Sequence, residues 1–378
     1  MKRRIHRCAL SLLNYDLIIR LILNYRLPEL IIDILLRLPA KSLLRFKIVC
    51  KLWYNLINSS DFVDLHFERS IASQTNFHFV YKTPILHLGD FDTFDNPISL
   101  DYPFKNCDNG GVGVVGSCNG LLCLQSYDFE HPLLIYNPTT QTYKTLPLLP
   151  ISAPFSYTRS VFNFGFGYES ITRDYRCVRI IRNYNEETSS YESDVMVYSL
   201  KGDLWRKAAT PSVDYNLDYY YTKSVFLNGA IHWDGGITEN EANEALPIVV
   251  FNLKDECFST MLIPDFDSME IVHMFVGVLD ESLCLAVSEL SGDTHLWVMK
   301  EYGTPESWTK LYSVPKLNSF YEKVASPICY SMSLKELFVH TTYLQVASID
   351  LDTMEISPVE VATRCTDAHV CVENLLML

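Results

Sequence analysis

Three groups of residues in this 378-residue chain have types and spacing that could do chemistry. Gly111-Val112-Gly113-Val114-Val115-Gly116 spells G-x-G-x-x-G, which holds a dinucleotide pyrophosphate when a strand feeds the glycines and a helix opens after them. Here Ser117-Cys118-Asn119-Gly120 follows, with Asn-Gly the signal of a tight hairpin, and Leu121–Leu124 reads as another strand. Tyr136 stands where a ribose-binding acid is expected, so glycines that let strands pack closely explain the run better than a cofactor does. Cys365, His369 and Cys371 could supply metal ligands, yet no second pair stands at zinc spacing. His232-Trp233-Asp234 lies in a segment that recurs along the chain; Trp233 reads as packing, with His232 on the opposite face. There is no G-x-S-x-G elbow and no H-E-x-x-H helix. No catalytic residue, cofactor or metal is assigned.

Charge narrows the partners. Residues 1–70 hold 12 Lys and Arg against 6 Asp and Glu, a balance of +6; the rest hold 19 against 39, a balance of −20. An acidic body disfavours nucleic acid and suits a basic protein drawn by long-range attraction, with plain solubility as the competing account. Eleven cysteines, an odd number without regular spacing, point to reduced thiols in the cytosol or nucleus. Residues 1–24 begin with Lys2-Arg3-Arg4 and an apolar run, the order of a signal peptide. No small-x-small cleavage site follows, and Asp16 and Arg20 interrupt the run before it could cross a bilayer. These residues read as an extension, either an extra helix or chain ahead of the genuine start, and no membrane partner is expected.

The elements come next. Leu27-Pro28-Glu29 places Pro at the first helical position, and Ile31, Ile34, Leu35 and Leu38 follow at helical spacing until Pro39. Ser42–Val49 is a second helical run and Leu52–Ile57 a third, ended by Asn58-Ser59-Ser60-Asp61. Three short helices cannot cover that much Leu, Ile, Phe and Trp among themselves, so an apolar face is left for a partner.

The LP start, the LRLPAKSLLRF centre and the CKLWYNLI end resemble an F-box across residues 25–68. The resemblance implies docking on a Skp-type adaptor, and through it on a cullin, by Leu27, Pro28, Ile34, Leu38, Pro39, Leu43, Phe46, Val49 and Trp53. It implies a non-catalytic receptor that selects proteins for ubiquitination.

From residue 69 to 378 the helical period gives way to short β-branched and aromatic runs separated by Gly, Asn and Asp turns. One piece recurs as LLIYNPTTQTYKTLP, VMVYSLKGDLWRKA, IVVFNLKDECFSTMLIP, LWVMKEYGTPESWTKL and VASIDLDTMEISPV. Its equivalent positions Tyr136, Tyr198, Phe251, Met299 and Ile349 are 62, 53, 48 and 50 residues apart. Each piece follows another hairpin, giving two hairpins per unit, the period of kelch-like blades. Five units are complete; remnants at Phe77–Lys82, Ile85–Leu88 and Ile98–Asp101 and at His369–Val372 and Leu375–Leu378 predict a sixth that closes the ring, with an open or sandwich-like array as the alternative. The fold class expected is mainly β: a kelch-like propeller of about six irregular blades behind a small all-α module.

GSCNGLLCL, FGFGYESITRDYRCVRI, NGAIHW and WVMKEYGTPESWTKLY resemble the plant F-box-associated domain, and within it S-locus F-box proteins and their paralogues. That resemblance implies pollen expression, a role in self-incompatibility and basic S-ribonucleases as targets. Recognition is expected on segments that lengthen the units. These are Arg182–Asp194, read as a polar loop, Thr238–Glu244, and above all Asp214, Tyr215, Asp218, Tyr219, Tyr220 and Tyr221, where Tyr among Asp and Asn gives adaptable contact area. Two other classes stay open: a sugar- or small-ligand-binding propeller whose F-box recruits no ligase, and a propeller oxidase, for which copper ligands are missing.

Overall fold

In the computed structural model, residues 27–378 are described apart from 92–93, 95, 107–110, 127–131, 149–159, 186–189, 211–222, 236–246, 267–270, 316–323, 342–344 and 360–364. The chain forms two compact units, one of residues 1–76 with Glu373–Leu376 and one of Phe77–Val372 with Met377–Leu378.

The first unit is helical: α1 (Leu27–Leu36), α2 (Ala40–Phe46), α3 (Lys51–Ile57) and α4 (Ser60–Ala72). The fourth helix departs from the three expected. Asn58-Ser59-Ser60-Asp61 does end α3, but Ser59 then caps α4, its Oγ accepting from the Phe62 N–H at 3.3 Å. Leu35, Ala40, Leu43, Ile57 and Phe62 make the core. Asp33 ties α1 to α4, accepting from Arg37 at 2.7 Å and from Arg69 at 2.8 Å. Those bonds, Arg37 first, hold its carboxyl below the usual carboxylate range.

The second unit is a ring of six four-stranded antiparallel sheets. The first blade is β1 (Phe77–Lys82), β2 (Leu86–Asp90) and β3 (Ile98–Ser99), and the second is β4 (Val112–Cys118), β5 (Leu121–Ser126), β6 (Leu134–Asn137) and β7 (Thr142–Thr145). The third is β8 (Ser160–Glu169), β9 (Asp174–Asn185), β10 (Ser190–Ser199) and β11 (Leu204–Lys207). The fourth is β12 (Val225–Leu227), β13 (Ala230–Trp233), β14 (Ile248–Asn252) and β15 (Cys257–Met261). The fifth is β16 (Ile271–Leu279), β17 (Ser282–Glu289), β18 (Thr294–Met299) and β19 (Trp308–Val314). The sixth is β20 (Val324–Tyr330), β21 (Glu336–Thr341), β22 (Val346–Asp350) and β23 (Ile356–Pro358). Finally β24 (Ala368–Val372) pairs antiparallel with β1, Phe77 opposite Val372, and completes the first blade from the other end of the chain. Leu375–Leu378 differs from expectation: it forms no strand, and Leu375 is buried among the helices.

The repeats are legible in this frame. Tyr136, Tyr198, Phe251, Met299 and Ile349 all lie buried on the third strand of their blades. In the second, fourth and sixth blades the turn after that strand is held by the strand's last polar side chain. Asn137 Oδ1 accepts from Thr139 N–H at 2.9 Å, Asn252 Oδ1 from Lys254 N–H at 2.9 Å and Asp350 Oδ1 from Thr353 N–H at 2.8 Å. The recurring tryptophans staple neighbours: Trp205 Nε1 donates to Pro147 O at 2.8 Å, and Trp308 Nε1 to Leu262 O at 3.0 Å. Glycine in FGFG follows from close blade contact. A Cβ on Gly165 would lie 2.7 Å from Ile231, and one on Gly167 would lie 2.4 Å from Phe226, both in the next blade. The G-x-G-x-x-G run belongs to β4 and its lead-in, and no helix follows. Asn119 and Gly120, at φ 49° and 75°, turn β4 into β5 as a two-residue hairpin.

Arg182–Asp194 corrects another expectation. Rather than a polar loop, its described residues extend β9 and β10, with Asn183 opposite Glu192 and Arg182 opposite Ser193. Cross-strand pairing over a long hairpin overrides the local polarity that argued against a strand. An ion pair crosses the ring: Lys223, just before β12, meets Asp367, just before β24, at 3.0 Å. The fourth and first blades stand three places apart in a ring of six, so the pair spans the axis. Burial alone would raise the Asp367 carboxyl, but Lys223 overrides it and the net shift is downward.

Candidate functional site

Within the helical unit, the apolar side chains that are at least half exposed are concentrated between residues 30 and 54, with Leu65 and Ile71 less exposed beyond them. Leu30 is 57% exposed, Ile34 50%, Ile48 89%, Val49 59% and Leu52 52%. They come from α1 and from the α2–α3 junction, where the chain leaves α2 at Phe46 and re-enters helix at Lys51. Leu30 and Ile34 stand four apart and so share one face of α1. The Leu38–Pro39 corner is fixed from behind, because buried His66 donates from Nε2 to Leu38 O at 2.9 Å. Phe46 and Trp53 pack edge to face at 5.4 Å, locking α2 to α3. An exposed apolar surface on helices so braced is a protein-docking surface in physical terms.

The nine residues named from sequence divide accordingly. Ile34, Pro39 and Val49 are exposed; Leu38, Phe46 and Trp53 are half-buried, positioned to serve both core and surface. Leu43 is 0% exposed, so its side chain belongs to the core and supports the face from beneath rather than forming it. The side chains of Leu27 and Pro28 lie outside the described residues. Leu30, Ile48 and Leu52 were missed. For Leu30 the signal was present, as the residue one turn before Ile34; Ile48 and Leu52 sit in a run apolar almost all round, where periodicity does not choose a face.

The residues proposed for target recognition, Asp214, Tyr215, Asp218, Tyr219, Tyr220 and Tyr221, lie outside the described residues, as does Thr238–Glu244. The sequence's chemical candidates are not brought together. His232 is fully buried, with Nε2 2.8 Å from the Tyr302 hydroxyl and Nδ1 3.4 Å from Val225 O. Burial lowers its pKa to about 4, so it is neutral at physiological pH. Trp233 turns the other way, donating to Phe164 O at 3.0 Å between the third and fourth blades. Cys371 packs with Leu122 and Leu124, whereas Cys365 packs with Phe79 and Phe94; burial pushes the Cys365 thiol up to about 11. Among the described residues no group of three or more His, Cys, Asp or Glu could hold a metal ion, and no helix is long and apolar enough to cross a membrane.

Comparison with known proteins agrees with this division. The profile of the F-box domain matches residues 25–65, and that of the F-box associated beta propeller domain matches residues 94–361. The F-box protein CPR1 of Arabidopsis thaliana is 29% identical over 371 residues, covering 92% of this chain and 88% of its own. An F-box/kelch-repeat protein of Arabidopsis thaliana is 26% identical over 374 residues, 93% of this chain and 96% of its own. Among solved structures, an oligogalacturonate lyase in complex with manganese aligns over 75% of this chain and 73% of its own. Its TM-score is 0.42 at 10% identity, a likeness too remote to bear on function. A helical module with a surplus apolar face, a six-bladed ring and homology over more than nine-tenths of the chain identify it as a member of the plant F-box proteins that carry an F-box-associated β-propeller domain.

Proposed function

We propose that this protein is the substrate-recognition subunit of a Skp–cullin–F-box ubiquitin ligase. The helical unit docks on the Skp-type adaptor through Leu30, Ile34, Leu38, Pro39, Ile48, Val49 and Leu52, and the propeller carries the target. The observation that carries this reading is the concentration of half-exposed or more exposed Leu, Ile and Val between residues 30 and 52 of a module whose profile is that of an F-box. The role is non-catalytic: the chain brings a protein to a ligase that supplies the chemistry. The acidic balance of −20 outside residues 1–70 favours a basic target. A basic S-ribonuclease in pollen fits that charge and the S-locus-like phrases of the sequence. Asp214–Tyr221 is the proposed discriminating segment. The test is retrieval of adaptor and cullin by the tagged full-length chain, followed by ubiquitination of a panel of basic ribonucleases in the reconstituted complex. Retrieval with modification of some ribonucleases supports both levels of the proposal. Retrieval without modification of any removes the ribonuclease, and failure to retrieve the adaptor removes the ligase role.

A further inference from the structure

We propose that Glu373–Leu376, the segment that follows the ring-closing strand, is a working part of the adaptor-docking module, with Glu373 the positioning residue of its Pro39–Ala40 corner. The docking half of this proposal rests on the adaptor reading above; the structural half does not. The helical unit takes these four residues from the far end of the chain. Ala40 opens α2, and its N–H belongs to the first turn, where no carbonyl within the helix can serve it. Pro39, at the cap position, has no side-chain acceptor to offer. The Glu373 carboxylate supplies what is missing, accepting from the Ala40 N–H at 2.6 Å across 333 positions of sequence. Glu373 is itself buried, and its own N–H donates to Asn76 O at 2.9 Å. Asn374 Oδ1 then accepts from the Leu376 N–H at 2.7 Å, a turn that sets Leu375 between them. Leu375 is buried with Leu35, Leu43, Ile57 and Phe62.

Cap and core residue act on one helix. α2 carries Leu43 and Phe46 and leads directly into Ile48 and Val49, the most exposed apolar pair of the docking face. Losing the carboxylate leaves a buried N–H unpaired at the Pro39 corner, and losing Leu375 opens a cavity beneath α2. Either change loosens the surface that the adaptor must meet without touching that surface. The stretch from 25 to 76 is thus an incomplete module.

The experiment uses the full-length chain with E373L/L375A, E373L and E373Q, read by hydrogen exchange across Ala40–Phe46 and by affinity for purified adaptor. In E373L/L375A, exchange in α2 should quicken at least about tenfold and affinity should fall by about tenfold or more, while exchange in the propeller strands stays within about twofold. E373L alone should show a smaller loss of the same kind. E373Q keeps an amide oxygen able to accept from Ala40, so it should return to within about threefold of wild type, a rescue that a mere volume requirement does not explain against E373L. Unchanged exchange in α2 overturns the proposal and leaves the adaptor reading intact. Quickened exchange with unchanged affinity overturns the positioning role. A wild-type chain that binds no adaptor overturns the adaptor reading, and quickened exchange in the variants then still upholds the segment's place in the helical module.

Discussion

Apolar surface is distributed differently in the two units. In the helical unit Leu30, Ile34, Ile48, Val49 and Leu52 are at least half exposed, all within one short stretch. The propeller has side chains as exposed, among them Leu148, Ile171, Leu262, Leu290 and Leu334, but these sit at separate strand ends and turns over nearly 190 positions. The reason is topological. Each blade of a closed ring finds a neighbour on both faces, as Ile231 and Trp233 meet Val178 and Ile180, so the apolar residues its strands supply are used within the ring. The short helices described around one small core have no such closure, and what they cannot cover is left outward. Apolar exposure is therefore concentrated in the helices, where we propose that it serves recognition, and scattered in the ring.

The largest expected effect comes from breaking closure. A chain ending at Val372 and one ending at Asp367 both lack Glu373–Leu376, so their difference isolates β24, the strand that pairs with β1. Without β24 the first blade keeps three strands and the β1 edge is bare. Soluble monomer should be lost or nearly so in the shorter chain; equal monomer yield and thermal midpoint in the two would show that the ring does not depend on its closing strand.

A smaller effect comes from wedging two blades apart. Gly167→Val places a branched side chain where a Cβ alone would be 2.4 Å from Phe226 and 2.8 Å from Leu253. The expected loss is at the upper end of overpacking, about 3 kcal/mol, read by urea unfolding of the full chain. A change within 0.5 kcal/mol, the range of ordinary surface substitutions, would mean that the blades do not pack as tightly as described.

The ring should also carry a pH signature. His232, His340 and His369 are lowered to about 4 from 6.5, in each case chiefly by burial. Between those values the unfolded chain binds more protons than the folded one, so this contribution is present in full above about 6.5 and is lost as pH falls toward 4. Unfolding midpoints between pH 6.5 and 4.5 should therefore decline, and His232→Gln should make the decline shallower. A slope unaltered by the substitution would show that His232 is not held neutral by burial.

Much of this was readable in the chain, and the gaps have physical causes. The sixth blade was legible because the strand-like remnants at Phe77–Lys82, Ile85–Leu88 and Ile98–Asp101 fall short of a full unit, and His369–Val372 follows the last complete one. The fourth helix was hidden because Asn58-Ser59-Ser60-Asp61 spells both a stop and a cap, and composition does not tell one from the other. The Arg182 hairpin looked like a loop because charged residues on a long strand are stabilised by pairing, which no local propensity records. At the site, α1 showed its face through spacing, whereas Leu43 was named from the F-box resemblance alone, and its helix, apolar almost all round, offers no periodicity to place it in the core. Glu373 could not be found at all, since a cap drawn from 333 residues away leaves no local pattern.

The contrast between the units reduces to one measurement: adaptor affinity and thermal midpoint of the full-length chain carrying either I34D/I48D or L262D/L334D. All four positions are at least half exposed, so neither pair should shift the midpoint by more than a few degrees. The helical pair should weaken adaptor binding by at least about a hundredfold, since two desolvated apolar anchors of about 1.5–3 kcal/mol each are replaced by charge. The propeller pair should leave binding within about twofold of wild type. Equal affinity for the two variants, with both folded, would contradict the claim that the exposed apolar residues of the helical unit are the docking surface.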